Sequence, residues 1–294
     1  MSVTPISNQI ATIQVAKFGG TSMADADAIR ACVAIICAEK APTLVVVSAC
    51  AGITNRLIAI SESQTLVERQ RRADEIIQRH QHIAEQAHVD TRCREALQQL
   101  HQQLIDIIVA PCPTSTVALL RRRDLILSFG ERCSSELFAA IWRQYNGSAT
   151  SIDARDYLST DGRHGQASPD WVAMQQACQP LQQRLQAGDA MVTQGFVGSG
   201  PEGYTTTLGR GGSDYSAALF AAAMQAQRLN IWTDVAGIYT TDPRVCEDAR
   251  PLAEISFAEA AELATFGAKV LHPKSLKPAI EHGICLLYTS DAAD

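Results

Sequence analysis

Two stretches of this chain run in the same order, and that order constrains the fold more than any other feature. Thr12-Ile13-Gln14-Val15-Ala16 alternates in β fashion into Lys17-Phe18-Gly19-Gly20-Thr21-Ser22, and Ala24 to Ala38 then places Ile29, Val33 and Ile36 at helical spacing. Ala190 to Gly198 is an apolar run broken by glycines. It leads to Thr205-Thr206-Thr207-Leu208-Gly209-Arg210-Gly211-Gly212-Ser213-Asp214-Tyr215-Ser216, and Ala217 to Leu229 is an Ala-rich segment of strong helix formers. Each stretch reads as strand, glycine turn, helix. Leu44-Val45-Val46-Val47 is a continuous apolar run, as expected of a parallel strand covered on both faces. β and α patterns alternate to the end without a repeat or a linker, so the expected class is α/β with a mostly parallel sheet.

The turns carry the chemistry. Glycines at 209, 211 and 212 let a ligand approach the main chain, Ser213 stands where an N-cap belongs, and the first helical turn offers unpaired N–H groups and a positive dipole end. Arg210 adds a planar fork suited to a carboxylate or phosphate. The same residues also describe an ordinary Gly-rich turn with a helix cap. Asp214 repels an anion unless a metal or a lysine stands between them, so a divalent ion or an ammonium is expected beside it. Lys17, at the end of the first strand, is such a cation, although it precedes its glycines and lacks the spacing of a Walker loop. Ser48 and Thr54, in Ser48-Ala49-Cys50-Ala51-Gly52-Ile53-Thr54-Asn55, sit at the carboxyl end of a strand, where open α/β sheets bind ligands; they serve equally as a cap for the helix beginning near Asn55. Glu131 follows Asp124 to Gly130 and lies in the first turns of a helix, favoured there by the dipole or as a partner for an ammonium group. Leu229 to Arg244 reads as a strand and a polar loop, in which Tyr239 offers a stacking face and Arg244 a phosphate fork. Thr265 to Pro273 is a further Gly–Lys element, with Lys269.

Other classes of function are set aside by composition. With 294 residues, net charge −6 and charges of both signs interspersed, there is no basic stripe for nucleic acid or a membrane surface. No run approaches the roughly 18–20 apolar residues that span a bilayer. Nine cysteines with no C-x-x-C pair read as reduced thiols of a cytoplasmic protein. Thr65–His88 and Thr91–Val109 form a helical hairpin by their spacing, ended by Pro111-Cys112-Pro113; its histidines 80, 82, 88 and 101 are read as surface groups without metal partners. Met1 to Ala11 reads as a loose leader.

Taken together, Lys17 to Ser22, Ser48 to Asn55, Gly130-Glu131, Thr206 to Asp214, Trp232 to Arg244 and Phe266 to Pro273 resemble aspartate kinase, the lysine-sensitive monofunctional type, in the family's order over residues 12–285. The resemblance implies the amino-acid kinase fold, a parallel sheet between helical layers, with an amino-acid lobe over about residues 12–200 and a nucleotide lobe over about 201–288. It implies transfer of phosphate from ATP to the side chain of L-aspartate, giving 4-phospho-L-aspartate, the step that opens the route to lysine, threonine, methionine and diaminopimelate. Carried over residue by residue, Lys17 and Asp214 are catalytic. Ser48, Thr54, Glu131, Arg210, Gly211, Gly212 and Ser213 bind aspartate. Lys17, Phe18, Gly19, Gly20, Thr233, Asp234, Tyr239, Arg244, Lys269 and Val270 bind the nucleotide, with Mg²⁺ held through the ATP phosphates near Asp214. Two other readings share the motifs: a kinase for glutamate or acetylglutamate, and a catalytically silent module that binds aspartate or nucleotide.

One departure stands out. Aspartate kinases continue through a strand into regulatory ACT domains; here Ile284 to Tyr288 begins such a strand, and Thr289-Ser290-Asp291-Ala292-Ala293-Asp294 does not resemble the family. The expectation is a catalytic domain over residues 12–288 with an atypical tail, without ACT domains or lysine feedback, and with a weakened homodimer.

Overall fold

The apolar runs assemble into one parallel sheet. In chain order the strands are β1 (Gln14–Phe18), β2 (Thr43–Val47), β3 (Thr150–Ile152), β4 (Met191–Gln194), β5 (Val197–Ser199), β6 (Thr205–Thr207), β7 (Arg228–Thr233), β8 (Ile238–Tyr239), β9 (Pro251–Leu252) and β10 (Cys285–Ser290). The computed structural model describes residues 12–233, 238–241, 246, 248–252, 255, 256, 259, 262 and 273–290. Six strands pair in the order β10-β7-β1-β2-β4-β3, every neighbour parallel, while β5–β6 and β8–β9 are antiparallel ribbons. The helices are α1 (Ala26–Ala38), α2 (Ile53–Glu62), α3 (Leu66–Gln86), α4 (Thr91–Val109), α5 (Thr116–Asn146), α6 (Trp171–Gln186), α7 (Gly212–Ala223) and α8 (Pro273–Glu281).

Period-two alternation splits the core into two layers. Ala16, Phe18, Val45 and Val47 pack with residues of α1 to α5, whereas Val15, Leu44 and Val46 pack with residues of α6, α7 and α8. Leu44 to Val47 are all 0% exposed, and each contributes about 1.5–3 kcal/mol by leaving water. The central strands are therefore fixed in register. Their carboxyl ends are placed with them.

Four expectations change. α5 begins at Thr116, capped by Ser115 Oγ, which accepts from the Ala118 amide at 3.2 Å, so Glu131 sits mid-helix and the N-terminal dipole does not act on it. α7 begins at Gly212, and its cap is Gly211 in the left-handed region at φ 70°, so Ser213 lies inside the first turn. The same helix ends at Ala223, not near Leu229, because Gln225 turns the chain at φ 52° and Arg228 already starts β7. Lastly, the hairpin of α3 and α4 is present, capped by Thr65 and Asp90, yet His80 and His101 are buried, at 0% and 7% exposure, with only His82 and His88 outside.

β10 runs two residues into the segment read as a tail: Thr289 and Ser290 pair with Trp232 and Thr233. The leader and the Gly–Lys element at 265–272 lie outside the described residues. No described helix is long and apolar enough to cross a membrane, and all nine cysteines are free thiols.

Candidate active site

β1 lies in the middle of the sheet, and the chain leaves it towards β2 on one side, whereas β7 leads towards β10 on the other. That divergence opens a crevice at the carboxyl ends, the usual binding place in open α/β sheets. Gly19 closes its floor by donating its amide to the Trp232 carbonyl at 3.3 Å. Lys17, 7% exposed, sits at the end of β1 with its ammonium 2.7 Å from Asp214 Oδ1 in the first turn of α7. The ammonium expected beside Asp214 is therefore Lys17.

A cavity of about 700 Å³ opens over this pair. Lys17, Ser48, Thr54, Glu131, Arg210, Gly211, Gly212, Ser213 and Asp214 all line it, from segments spread over some two hundred residues, and Gly20 joins them. Ser48 and Thr54 do not cap α2, whose N-cap is Gly52 without a side-chain bond. Both face the cavity instead. Arg210 is exposed at the rim.

Glu131 reaches the cavity because α5 presses on the turn after β2. A Cβ on Gly130 would stand 2.7 Å from the Ala49 methyl, so only glycine allows this approach. Glu131 is 4% exposed and its Oε2 has no partner. Burial pushes its carboxyl up to about 8, opposed in part by its own amide and that of Ala49. A buried, uncompensated carboxyl of this kind is completed by a cation.

The turn that carries Arg210 is held from behind. Phe196, left-handed at φ 68°, gives its amide to Ser216 Oγ at 2.8 Å, and that hydroxyl donates to the Gly212 carbonyl at 2.8 Å. The Leu208 amide returns to the Phe196 carbonyl at 3.0 Å. Strain at a non-glycine residue beside a site persists only when its surroundings over-determine it, as they do here.

Asp124 is the functional candidate that sequence reasoning missed, since the sequence marks it only as part of the run leading into the helix that carries Glu131. It is 1% exposed, lines the cavity, and accepts from Thr207 Oγ1 at 2.6 Å, from the Gly165 amide at 3.0 Å and from His164 Nδ1 at 2.8 Å. One carboxylate thus ties α5, the 161–166 loop and β6 together beneath the Arg210 turn. No local signal marks it.

The nucleotide set is placed less fully. The Phe18 side chain is core, 0% exposed and stacked on Phe138 and Trp232 at 5.7 and 6.2 Å between ring centres, so Phe18 offers a ligand only its backbone. Thr233 ends β7 beside the crevice, and Tyr239 lies half-buried in β8. Asp234, Arg244, Lys269 and Val270 lie outside the described residues.

A model of the amino acid kinase family matches residues 12–287. This chain belongs to that family. Among amino acid kinase family members, lysine-sensitive aspartokinase 3 of Escherichia coli is 45% identical over 273 residues, 92% of this chain and 60% of that protein. Aspartokinase of Chlamydia pneumoniae is 36% identical over 94% of this chain and 60% of its own length. The crystal structure of E. coli aspartokinase III in complex with aspartate and ADP superposes with a TM-score of 0.88 at 44% identity, covering 95% of this chain and 62% of that one. The chain thus spans about three fifths of the length of these relatives. The amino-acid kinase fold, a mostly parallel central sheet with helices around it, is the architecture shared with them.

Proposed function

We propose that this chain is an aspartate kinase catalytic domain, which transfers the γ-phosphoryl group of ATP to the side-chain carboxylate of L-aspartate. The observation that carries the reading is the Lys17–Asp214 pair at 2.7 Å, facing the same cavity as Glu131 and the Arg210 turn. Aspartate and ADP are bound by the E. coli relative, which supports the choice of substrates.

A side-chain carboxylate with a pKa near 4 is ionised at neutral pH and needs no general base. Its oxygen attacks the γ-phosphorus, the bond from that phosphorus to the β–γ bridging oxygen breaks, and ADP leaves; no proton moves. The task is to bring two anions together. Lys17 neutralises the transferring group from below, and Asp214 holds the ammonium in position. Arg210, with the amides of Gly211 to Ser213, takes the α-carboxylate of aspartate. Glu131 takes the ammonium group, and Ser48 and Thr54 orient the acceptor end. In the nucleotide set the backbone of Phe18, Gly19 and Gly20 borders the phosphates and Thr233 and Tyr239 border the nucleoside; Asp234, Arg244, Lys269 and Val270 complete it by family resemblance.

Asp214 is 22% exposed on its side chain and already shared with Lys17, a donor set suited to an ion held mainly by nucleotide oxygens. Mg²⁺ bound there would supply neutralisation of phosphate charge, with Asp214 as the nearby carboxylate. The reduced cysteines agree with a cytoplasmic enzyme.

Incubation with ATP and aspartate, glutamate or acetylglutamate in turn, with hydroxylamine trapping of the acyl phosphate and coupled ADP detection, tests the reading. Hydroxamate is expected with aspartate. Trapping only with another acid reassigns the substrate, and nucleotide binding with no hydroxamate from any acid leaves a silent binding module.

A further inference from the structure

Outside the cavity at the sheet edge, three helices bring metal-ligating side chains to one buried point. His80 of α3, His101 of α4 and Cys133 of α5 each present a ligand atom within 4.8 Å of the other two, and all three side chains are buried. The imidazoles lie parallel, 6° apart in plane, with His80 Nδ1 3.2 Å from His101 Nε2. That spacing is close to the edge of a tetrahedron of nitrogens about 2.0–2.1 Å from zinc, which is about 3.3 Å. The same two nitrogens also stand at hydrogen-bond distance, and His80 Nε2, the other nitrogen of that ring, is buried with no hydrogen-bond partner.

We infer that His80, His101 and Cys133 form a site for one divalent transition-metal ion of the zinc type, separate from the Mg²⁺–nucleotide site. The donor set suits a borderline ion; a hard oxygen-seeking cation such as Mg²⁺ is disfavoured by two imidazoles and a thiolate. As neutral imidazoles the two histidines offer the nitrogen electron pairs that coordination needs. Cys133 is a buried thiol, and binding releases its proton to solvent as the sulfur–metal bond forms. A cavity of about 770 Å³ between α3 and α4, lined by His101, His88 and Gln98, gives the ion a route in. The ion pins the α3–α4 hairpin to α5 two residues beyond Glu131.

Titration of the chelator-treated 294-residue chain with Co²⁺ tests the inference. One equivalent should produce tetrahedral d–d bands and a thiolate-to-cobalt charge-transfer band, bleached by Zn²⁺. Cys133→Ser should abolish the charge-transfer band, and His80→Gln should weaken Zn²⁺ affinity at least about 100-fold. If Cys133→Ser does not fold, His80→Gln and His101→Gln carry the same test. Absence of the band in the parent chain overturns the inference, as does a band that survives Cys133→Ser and vanishes in Cys112→Ser, or a Zn²⁺ affinity unchanged by the histidine variants.

Discussion

Glu131 carries a carboxyl pushed up to about 8 by burial, so in the empty cavity near pH 7 it is largely protonated. Capture of an ammonium group reverses that state. Aspartate binding at pH 7 should release about one proton, seen as calorimetric enthalpies that depend on buffer ionisation heat, and Glu131→Gln should remove the dependence. The sign for stability follows from the same shift. Between the ordinary value of 4.5 and about 8 the folded chain holds a proton that the unfolded chain has lost, so stability of the ligand-free protein falls as pH rises through that window. Urea melts at pH 5 and pH 8 should record the fall, and Glu131→Gln should flatten it. Asp124 acts by position. In Asp124→Asn an amide NH₂ or a single oxygen meets three donors, and a buried polar group left unsatisfied costs about 1–3 kcal/mol. Aspartate affinity should drop by about tenfold or more with ATP affinity little changed, since the loss falls on the turn bearing Arg210; equal loss of both affinities would point to general loosening instead.

At the scale of elements, the contact between α5 and the turn after β2 sets the depth of the cavity. Gly130→Ala forces a methyl to within 2.7 Å of the Ala49 methyl. Overpacking of this kind costs about 1–3 kcal/mol, more than the helix propensity that alanine gains, so the variant should melt lower and bind aspartate more weakly. Strands, glycine turns and the α3–α4 hairpin were legible in the sequence because each is encoded within about a dozen neighbouring residues by period and turn chemistry. The full length of α5 was not. From Ile126 to Trp142 nearly every residue is buried, so no polar face marks a helical stripe, and Glu131 was placed at an end it does not occupy. The roles of His80, His101 and Asp124 were equally hidden, because their partners lie 21 to 83 residues away and exist only after α3, α4, α5 and β6 have packed.

At the scale of the molecule, topology gathers what the sequence scatters. Placing β7 and β2 on opposite sides of β1 opens the sheet at the end where Lys17 sits, and the β4-to-α7 segment brings Asp214 and the Arg210 turn to it. The cavity residues named from the motifs converge there without exception, since fixed register and buried strands leave their turns one place to go. The nucleotide side was legible only in outline: Phe18 alternates into the core, a consequence of the period-two rule that the motif reading did not apply. Comparison of Lys17→Ala with the parent chain under saturating ATP and aspartate, with aspartate affinity measured alongside, tests the central claim most directly. The account predicts turnover lower by about 10²–10³, as for loss of one preorganised donor, with aspartate affinity within a few fold; turnover equal to that of the parent chain would contradict it.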